Sequence, residues 1–156
     1  MRRRDGFTLV ETIIAVVILS LLVLIGLPKM SSAMAQNDLR GARTTMVNMV
    51  AAARAASVQS NRLTWIKFVG NTAHVLARPR LVAVGGAAVE PSDTVGTVRD
   101  FAGVYGVTVA PEVGVDSIQF DPRGFGAGFG GDASIVLTRG GHSSTITIDG
   151  LGRVRK

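Results

Sequence analysis

The sequence predicts an α+β protein: a long N-terminal helix, membrane-spanning in its first half, packed on an antiparallel β-sheet head. Three observations carry this prediction. Residues Phe7 to Leu27 form an apolar run whose only charge is Glu11. From Lys29 to Asn61, apolar residues recur at steps of three and four with no proline. After Asn61 the pattern changes to short alternating segments punctuated by Gly and Asn turn signals.

The first element is a candidate membrane span. Its 21 residues as helix, at about 1.5 Å each, cover roughly 30 Å, the thickness of a bilayer core. Arg2, Arg3 and Arg4 precede it, and positive charge beside a span stays on the cytoplasmic side, so the rest of the chain faces outward. Glu11 is the anomaly, because an intramembrane acid costs a few kcal/mol and is usually kept for function. A secretory signal peptide is an alternative reading. Ala33-Met34-Ala35 has the small-x-small form of a cleavage site, and cutting there would release a periplasmic binding domain starting at Gln36. Against it, the apolar stretch exceeds the usual signal-peptide core of about 7 to 15 residues, and Glu11 interrupts it early. A plain single-pass anchor likewise leaves Glu11 unexplained. Gly26 and Pro28 weaken the helix. An interior proline costs about 3 kcal/mol and removes a backbone hydrogen bond, so a break at Pro28, as a bend or melted turn, is expected; the alternative is that Pro28 ends the span.

The helix should then resume to about residue 61. Leu39, Ala42, Met46, Met49, Ala53 and Ala56 make one apolar stripe, while Asp38, Arg40, Asn48 and Arg54 fall elsewhere. The stripe should pack on a sheet as core. The strands expected beyond it are Leu63 to Val69 and Thr72 to Arg78 across a Gly70-Asn71 turn, Leu81 to Val84, Val104 to Val109, and Ser117 to Phe120. Ala133 to Arg139 and Ser143 to Asp149 follow, joined across Gly140-Gly141. Ile146 and Ile148 alternate with threonines, as in a half-buried strand. Gly85 to Gly103 and Pro122 to Asp132 read as long loops.

Composition narrows the function. The 156 residues contain no cysteine, which excludes a disulfide framework, a thiol nucleophile and a cysteine metal site. His74 and His142 are isolated, one within a strand and one beside a turn, and neither has metal-ligand spacing. Asp93, Asp100, Asp116, Asp121, Asp132 and Asp149 are scattered singly, so no calcium loop is visible. The glycine-rich run Gly124 to Gly131 is followed by Asp132 and Ala133 where a phosphate-binding loop needs lysine and a hydroxyl residue. No nucleophile elbow or carboxylate pair appears. These residues predict a non-enzyme without catalytic, metal or cofactor sites.

The C-terminus stands apart, with Arg153, Arg155 and Lys156 placing three cations in the last four residues after Gly150-Leu151-Gly152. Alternation puts Arg153 and Arg155 on one side. With Lys156, and Arg139 from the neighbouring hairpin, they would form a phosphate clamp for DNA; the alternative is a solvated, frayed tail. Single aromatics, Trp65 and Tyr105, give no stacking platform for single strands.

The start Gly6-Phe7-Thr8-Leu9-Val10-Glu11, behind a basic leader, resembles the processing site of type IV pilins and pseudopilins. The resemblance implies that a prepilin peptidase cuts after Gly6 and that Phe7 becomes the N-methylated first residue. Glu11 would then take the position thought to pair with a neighbouring subunit's terminal amine during assembly, a cation that makes a buried carboxylate tolerable. Pro28 falls where that family commonly has a helix-breaking proline. Ile118 through Pro122 and Gly124, with the ending Gly152-Arg153-Val154-Arg155, resembles the H-type minor pseudopilins and FimT-like minor pilins. In the FimT-like branch this Gly-Arg-x-Arg ending is associated with DNA capture during uptake.

The organisation so implied is a prepilin leader at 1–6, a membrane and assembly helix at 7–28, an amphipathic helix at 29–61 and a β-rich head at 62–156. The leader's three arginines and one aspartate account for +2 of the formal charge of +6, so the processed chain would carry +4. The implied protein is a single-pass inner-membrane subunit, head outward, drawn into a filament. Its partners would be other pilins or pseudopilins, the prepilin peptidase, the inner membrane and, as a further candidate, DNA. A secretion pseudopilus and a type IV pilus both remain open.

Overall fold

The computed structural model describes residues 8–78, 93–112, 115–127 and 131–155. The chain divides into two units, Met1–Ala35 and Gln36–Lys156.

Helix α1 spans Leu9–Ser60. In the first unit its apolar side chains from Leu9 to Leu27 lie exposed. The helix contains a window long and apolar enough to cross a membrane. The melted turn expected at Pro28 is corrected: α1 runs on as helix through Gly26 and Pro28. Proline removes a single backbone donor, at a cost of about 3 kcal/mol. The helical hydrogen bonding on either side outweighs that. The helix stops where Asn61 turns left-handed at φ 50°. There the Asn61 amide donates to the Val58 carbonyl and the Arg62 amide to the Ser57 carbonyl, an asparagine-type termination.

The second unit holds two antiparallel sheets. In one, β1 (Thr64–Val69) is flanked by β2 (Thr72–Ala77) and β6 (Ser117–Phe120). Here β3 (Asp93–Thr94) and β4 (Arg99–Asp100) both pair with β2, and β7 (Gly126–Ala127) pairs with β6. The other runs in the order β10 (Val154–Arg155), β9 (His142–Ile148), β8 (Ala133–Arg139), β5 (Thr108–Pro111). The β8–β9 turn has positive φ at both Gly140 and Gly141, which suits the right-handed twist of a hairpin.

The apolar stripe of α1 is core. Leu39, Ala42, Met46, Met49 and Ala53 are buried, and the turn after Ala53 buries Ser57 in preference to Ala56. Both sheets close on this stripe through Ile66, Ile118, Phe120, Ile135, Leu137, Ile146 and Ile148. Each such side chain contributes roughly 1.5–3 kcal/mol relative to exposure. Polar contacts fix the helix in register. The buried Thr64 hydroxyl donates to the Ala53 carbonyl at 2.8 Å. Arg43 donates to the Ser144 hydroxyl at 2.8 Å and the Thr145 carbonyl at 2.9 Å.

Two segments differ from expectation. Val104 and Tyr105 belong to a short helix α2 (Phe101–Tyr105), and the strand begins at Thr108. Asp100 caps α2 by accepting the Gly103 amide at 2.9 Å, and Phe101, fully buried, holds it against the core. The Gly85–Gly103 stretch therefore carries β3, β4 and the start of α2 in its described part, and Pro122–Asp132 carries β7. The strand expected at Leu81–Val84 lies outside the described residues.

Candidate functional site

At its start, α1 is capped by Thr8. The Thr8 hydroxyl accepts the Glu11 amide at 3.2 Å, the first half of a Thr-x-x-Glu capping arrangement. Glu11 is thus fixed in the first turn, where the helix dipole favours a carboxylate. It stands exposed on an otherwise uncharged helical surface running to Leu27. The Thr8-to-Glu11 spacing is the signal that would have found this cap in the sequence. Gly6 and Phe7 lie outside the described residues.

The basic C-terminus is held by a turn that sequence reasoning missed. The Asp149 carboxylate accepts the amides of Leu151 at 3.0 Å and Arg153 at 2.8 Å. The Asp149 amide donates to the Arg153 carbonyl, and the Gly152 amide to the Asp149 carbonyl. An identical set of bonds surrounds Asp121. Its carboxylate accepts the amides of Arg123 and Phe125, both at 2.9 Å. Its amide donates to the Phe125 carbonyl, and the Gly124 amide donates back to the Asp121 carbonyl. The repeated apolar-Asp-x-x-Gly at Phe120–Gly124 and Ile148–Gly152 was the available signal. The two loops pack together, with the Gly126 amide donating to the Gly150 carbonyl at 3.1 Å. A Cβ on Gly152 would stand 2.7 Å from the Gly124 carbonyl oxygen, so the contact requires glycine. Burial works to raise the Asp121 carboxyl. The Phe125 amide and the Arg123 guanidinium and amide outweigh that and hold it below the usual carboxylate range.

The turn sends Val154 inward and leaves Arg153 and Arg155 exposed, the alternation expected. The four-cation clamp does not form as expected. Arg139 lies opposite His142 at the far end of β8, whereas Arg155 lies opposite Thr147, itself opposite Ser134. Five strand residues at about 3.4 Å separate the two ends by roughly 17 Å. Arg139 is also held by Asp38 at 3.0 Å, and Arg155 contacts Asp132 at 3.4 Å. Lys156 lies outside the described residues. Among the described residues no carboxylate pairs with Arg153.

Beside Arg153 a groove of about 640 Å³ opens between α1 and the C-terminal return, floored by Val47, Ala51, Ala55 and Val58. Arg54 also lines it. Sequence reading placed Arg54 off the core stripe but gave it no role. Among the described residues no cluster of histidines and acids has the makeup of a metal site.

Residues 1–27 match the prokaryotic N-terminal methylation motif. With the capped, exposed apolar helix and the two-sheet head, this defines a pilin-like subunit of the minor pilin and pseudopilin class. Residues 42–152, most of the chain, match the family of the Type II transport protein GspH, and the chain belongs to that family. Among solved structures, the type IV minor pilin FimU of Pseudomonas aeruginosa strain PAO1 shares the fold in two crystal forms. At 16% identity, one covers 77% of this chain and 88% of its own with a TM-score of 0.54. The other, also 16% identical, covers 75% and 90% with a TM-score of 0.52. No curated protein matches the chain.

Proposed function

We propose that this chain is a non-enzymatic structural subunit of a type II secretion pseudopilus or type IV pilus. It is inserted in the inner membrane with its head outward, cut after Gly6 by prepilin peptidase and methylated at Phe7. The observation that carries the reading is Glu11, a single carboxylate fixed in the first turn of a helix whose apolar surface is otherwise uncharged. In a membrane or a filament core that carboxylate needs a cation, and the terminal amine of a neighbouring Phe7 supplies one. The test is Glu11→Ala in cells that assemble the filament. Incorporation should fall about tenfold or more, as removal of one partner of a buried ion pair does, with membrane insertion unchanged and the mature chain beginning at methylated Phe7. Normal incorporation would refute the role of Glu11, and a chain beginning at Gln36 would restore the signal-peptide reading.

One observation favours a second reading, DNA capture by the C-terminal motif. Arg153 is exposed and unpaired with any carboxylate among the described residues, and Arg155 makes only a long contact with Asp132. Both side chains are open to phosphate.

A further inference from the structure

The His142 end of β9 faces α1 across a second groove, of about 300 Å³. Gln36, Arg40 and Arg43 line it from the helix, and His142, Ser143 and Ser144 from the strand. Among the described residues no carboxylate lines it. Arg43 is half-buried and held in place, its Nη1 donating to the Ser144 hydroxyl at 2.8 Å and the Thr145 carbonyl at 2.9 Å. A guanidinium carries five N–H donors in a planar fork, so those on Nε and Nη2 remain. Among the described residues neither atom has a protein acceptor. Nor are they sealed in, since the buried side-chain nitrogen left without a partner there is Nε of Arg62. Arg40 stands three residues earlier, exposed and on the same side of the helix. It too lacks a carboxylate among the described residues, and the acid close by in sequence, Asp38, is taken by Arg139 at 3.0 Å. Like charges at this spacing repel, and nothing lining the groove offsets that. The Ser143 hydroxyl and the Gln36 amide are exposed and make no protein hydrogen bond among the described residues.

Donors from two elements thus meet with no acceptor between them, which selects an anionic ligand that carries several oxygens. A phosphate group fits this better than a carboxylate. Its tetrahedral oxygens let the Arg43 fork bind two side by side and leave others for Arg40 and the Ser143 hydroxyl. We propose that this pocket binds a phosphate oxyanion, as a phosphate ester such as a lipid headgroup or as free phosphate, with Arg43 the anchor and Arg40 the second charge. The pocket is separate from the C-terminal arginines. Arg155 lies opposite Thr147, and the five strand residues from there to His142, at about 3.4 Å each, span roughly 17 Å. One compact pocket at that distance takes a single phosphate group and does not extend the C-terminal clamp. The site does not depend on whether the subunit works in a secretion pseudopilus or in a pilus.

The test follows the groove by nuclear magnetic resonance in the full-length, isotope-labelled chain, held in phosphatidylcholine nanodiscs. Inorganic phosphate and, separately, glycerol phosphate are added while chloride keeps the ionic strength constant. The Arg43 Nε–H signal, identified by its loss in Arg43→Lys, should shift together with the Ser143 and Ser144 amides along one saturating curve. Arg40→Gln should weaken the fitted affinity about tenfold, as loss of one charge-assisted hydrogen bond does. Arg40 is exposed, so this variant keeps the fold. Arg99→Gln, an exposed arginine outside the groove, is the control and should bind like the native chain. A second set of nanodiscs carries phosphatidylglycerol and separates the sources. Shifted signals before any soluble ligand is added would identify a lipid headgroup, and signals that move only on addition would identify soluble phosphate. Signals that respond to neither soluble ligand and are the same in both nanodiscs would overturn the site. So would an unsaturable drift shared by all arginines, or an affinity that Arg40→Gln leaves unchanged.

Discussion

Gly152 is where a single methyl group tests the architecture of the basic tail. Its φ of +71° lies in the left-handed region, and an added Cβ would meet the Gly124 carbonyl oxygen at 2.7 Å and the Phe120 ring at 3.2 Å. Backbone strain and a contact with no flexible side chain to yield make Gly152→Ala cost about 2–3 kcal/mol. The melting temperature of the head should fall by roughly 6–12 °C. Gly131→Ala, where nothing stands within 4 Å, is the control and should melt close to wild type. Asp121 makes a second prediction, this one about acid. Its folded pKa is depressed, so its contribution is present above the unfolded value of about 3.9 and is lost as pH falls below that. The urea midpoint of wild type should therefore drop more steeply than that of Asp121→Asn as pH is lowered through 4 toward 3. Parallel curves would remove Asp121 from the acid response. Neither aspartate stood out in the sequence. A lone Asp before a glycine is common, and what matters is that two distant copies of the pattern fold against each other.

At the scale of elements, local pattern decided most of the result. The stripe from Leu39 to Ala53, the β1–β2 hairpin and the β8–β9 hairpin were legible because each is set by neighbours in sequence. The errors came where one contact overrode a pattern. Asp100 and buried Phe101 turned Val104 and Tyr105 into helix, and hydrogen bonding on both sides carried α1 through Pro28. Alongside the apolar core, a buried polar contact ties α1 to the first sheet, the Thr64 hydroxyl on the Ala53 carbonyl. Replacing Thr64 by valine keeps the shape and deletes the donor. The Ala53 carbonyl keeps its place in the helical ladder, so the loss should be one neutral hydrogen bond, about 1 kcal/mol. Thermal melting of Thr64→Val against Thr64→Ser measures it. Equal melting of both variants and wild type would show that packing alone holds the sheet to the helix.

At the scale of the whole molecule, the sequence left open one sheet or two, and also whether four cations meet. Strand order and the distance between hairpin ends depend on pairings between segments far apart in the chain, and composition carries no record of them. The structure gives two sheets and separates Arg139 from the C-terminal arginines. That separation shapes the test of DNA binding. With Arg139 committed to Asp38, Arg153 and Arg155 are the cations of the proposed clamp that the described residues leave near one another. Each duplex phosphate neutralised contributes about 0.9 to the slope of log affinity against log salt. On the DNA-capture reading, residues 36–156 bind duplex DNA at low salt with a slope near 2 and little sequence preference. Arg153→Gln with Arg155→Gln should abolish that binding, and Arg139→Gln, roughly 17 Å away along β8, should leave the slope unchanged. A slope that falls with Arg139→Gln would mean that DNA lies across the sheet and contacts both ends. Binding that survives the double change, or none at low salt, would remove DNA from the function and leave the C-terminal arginines to contacts between subunits.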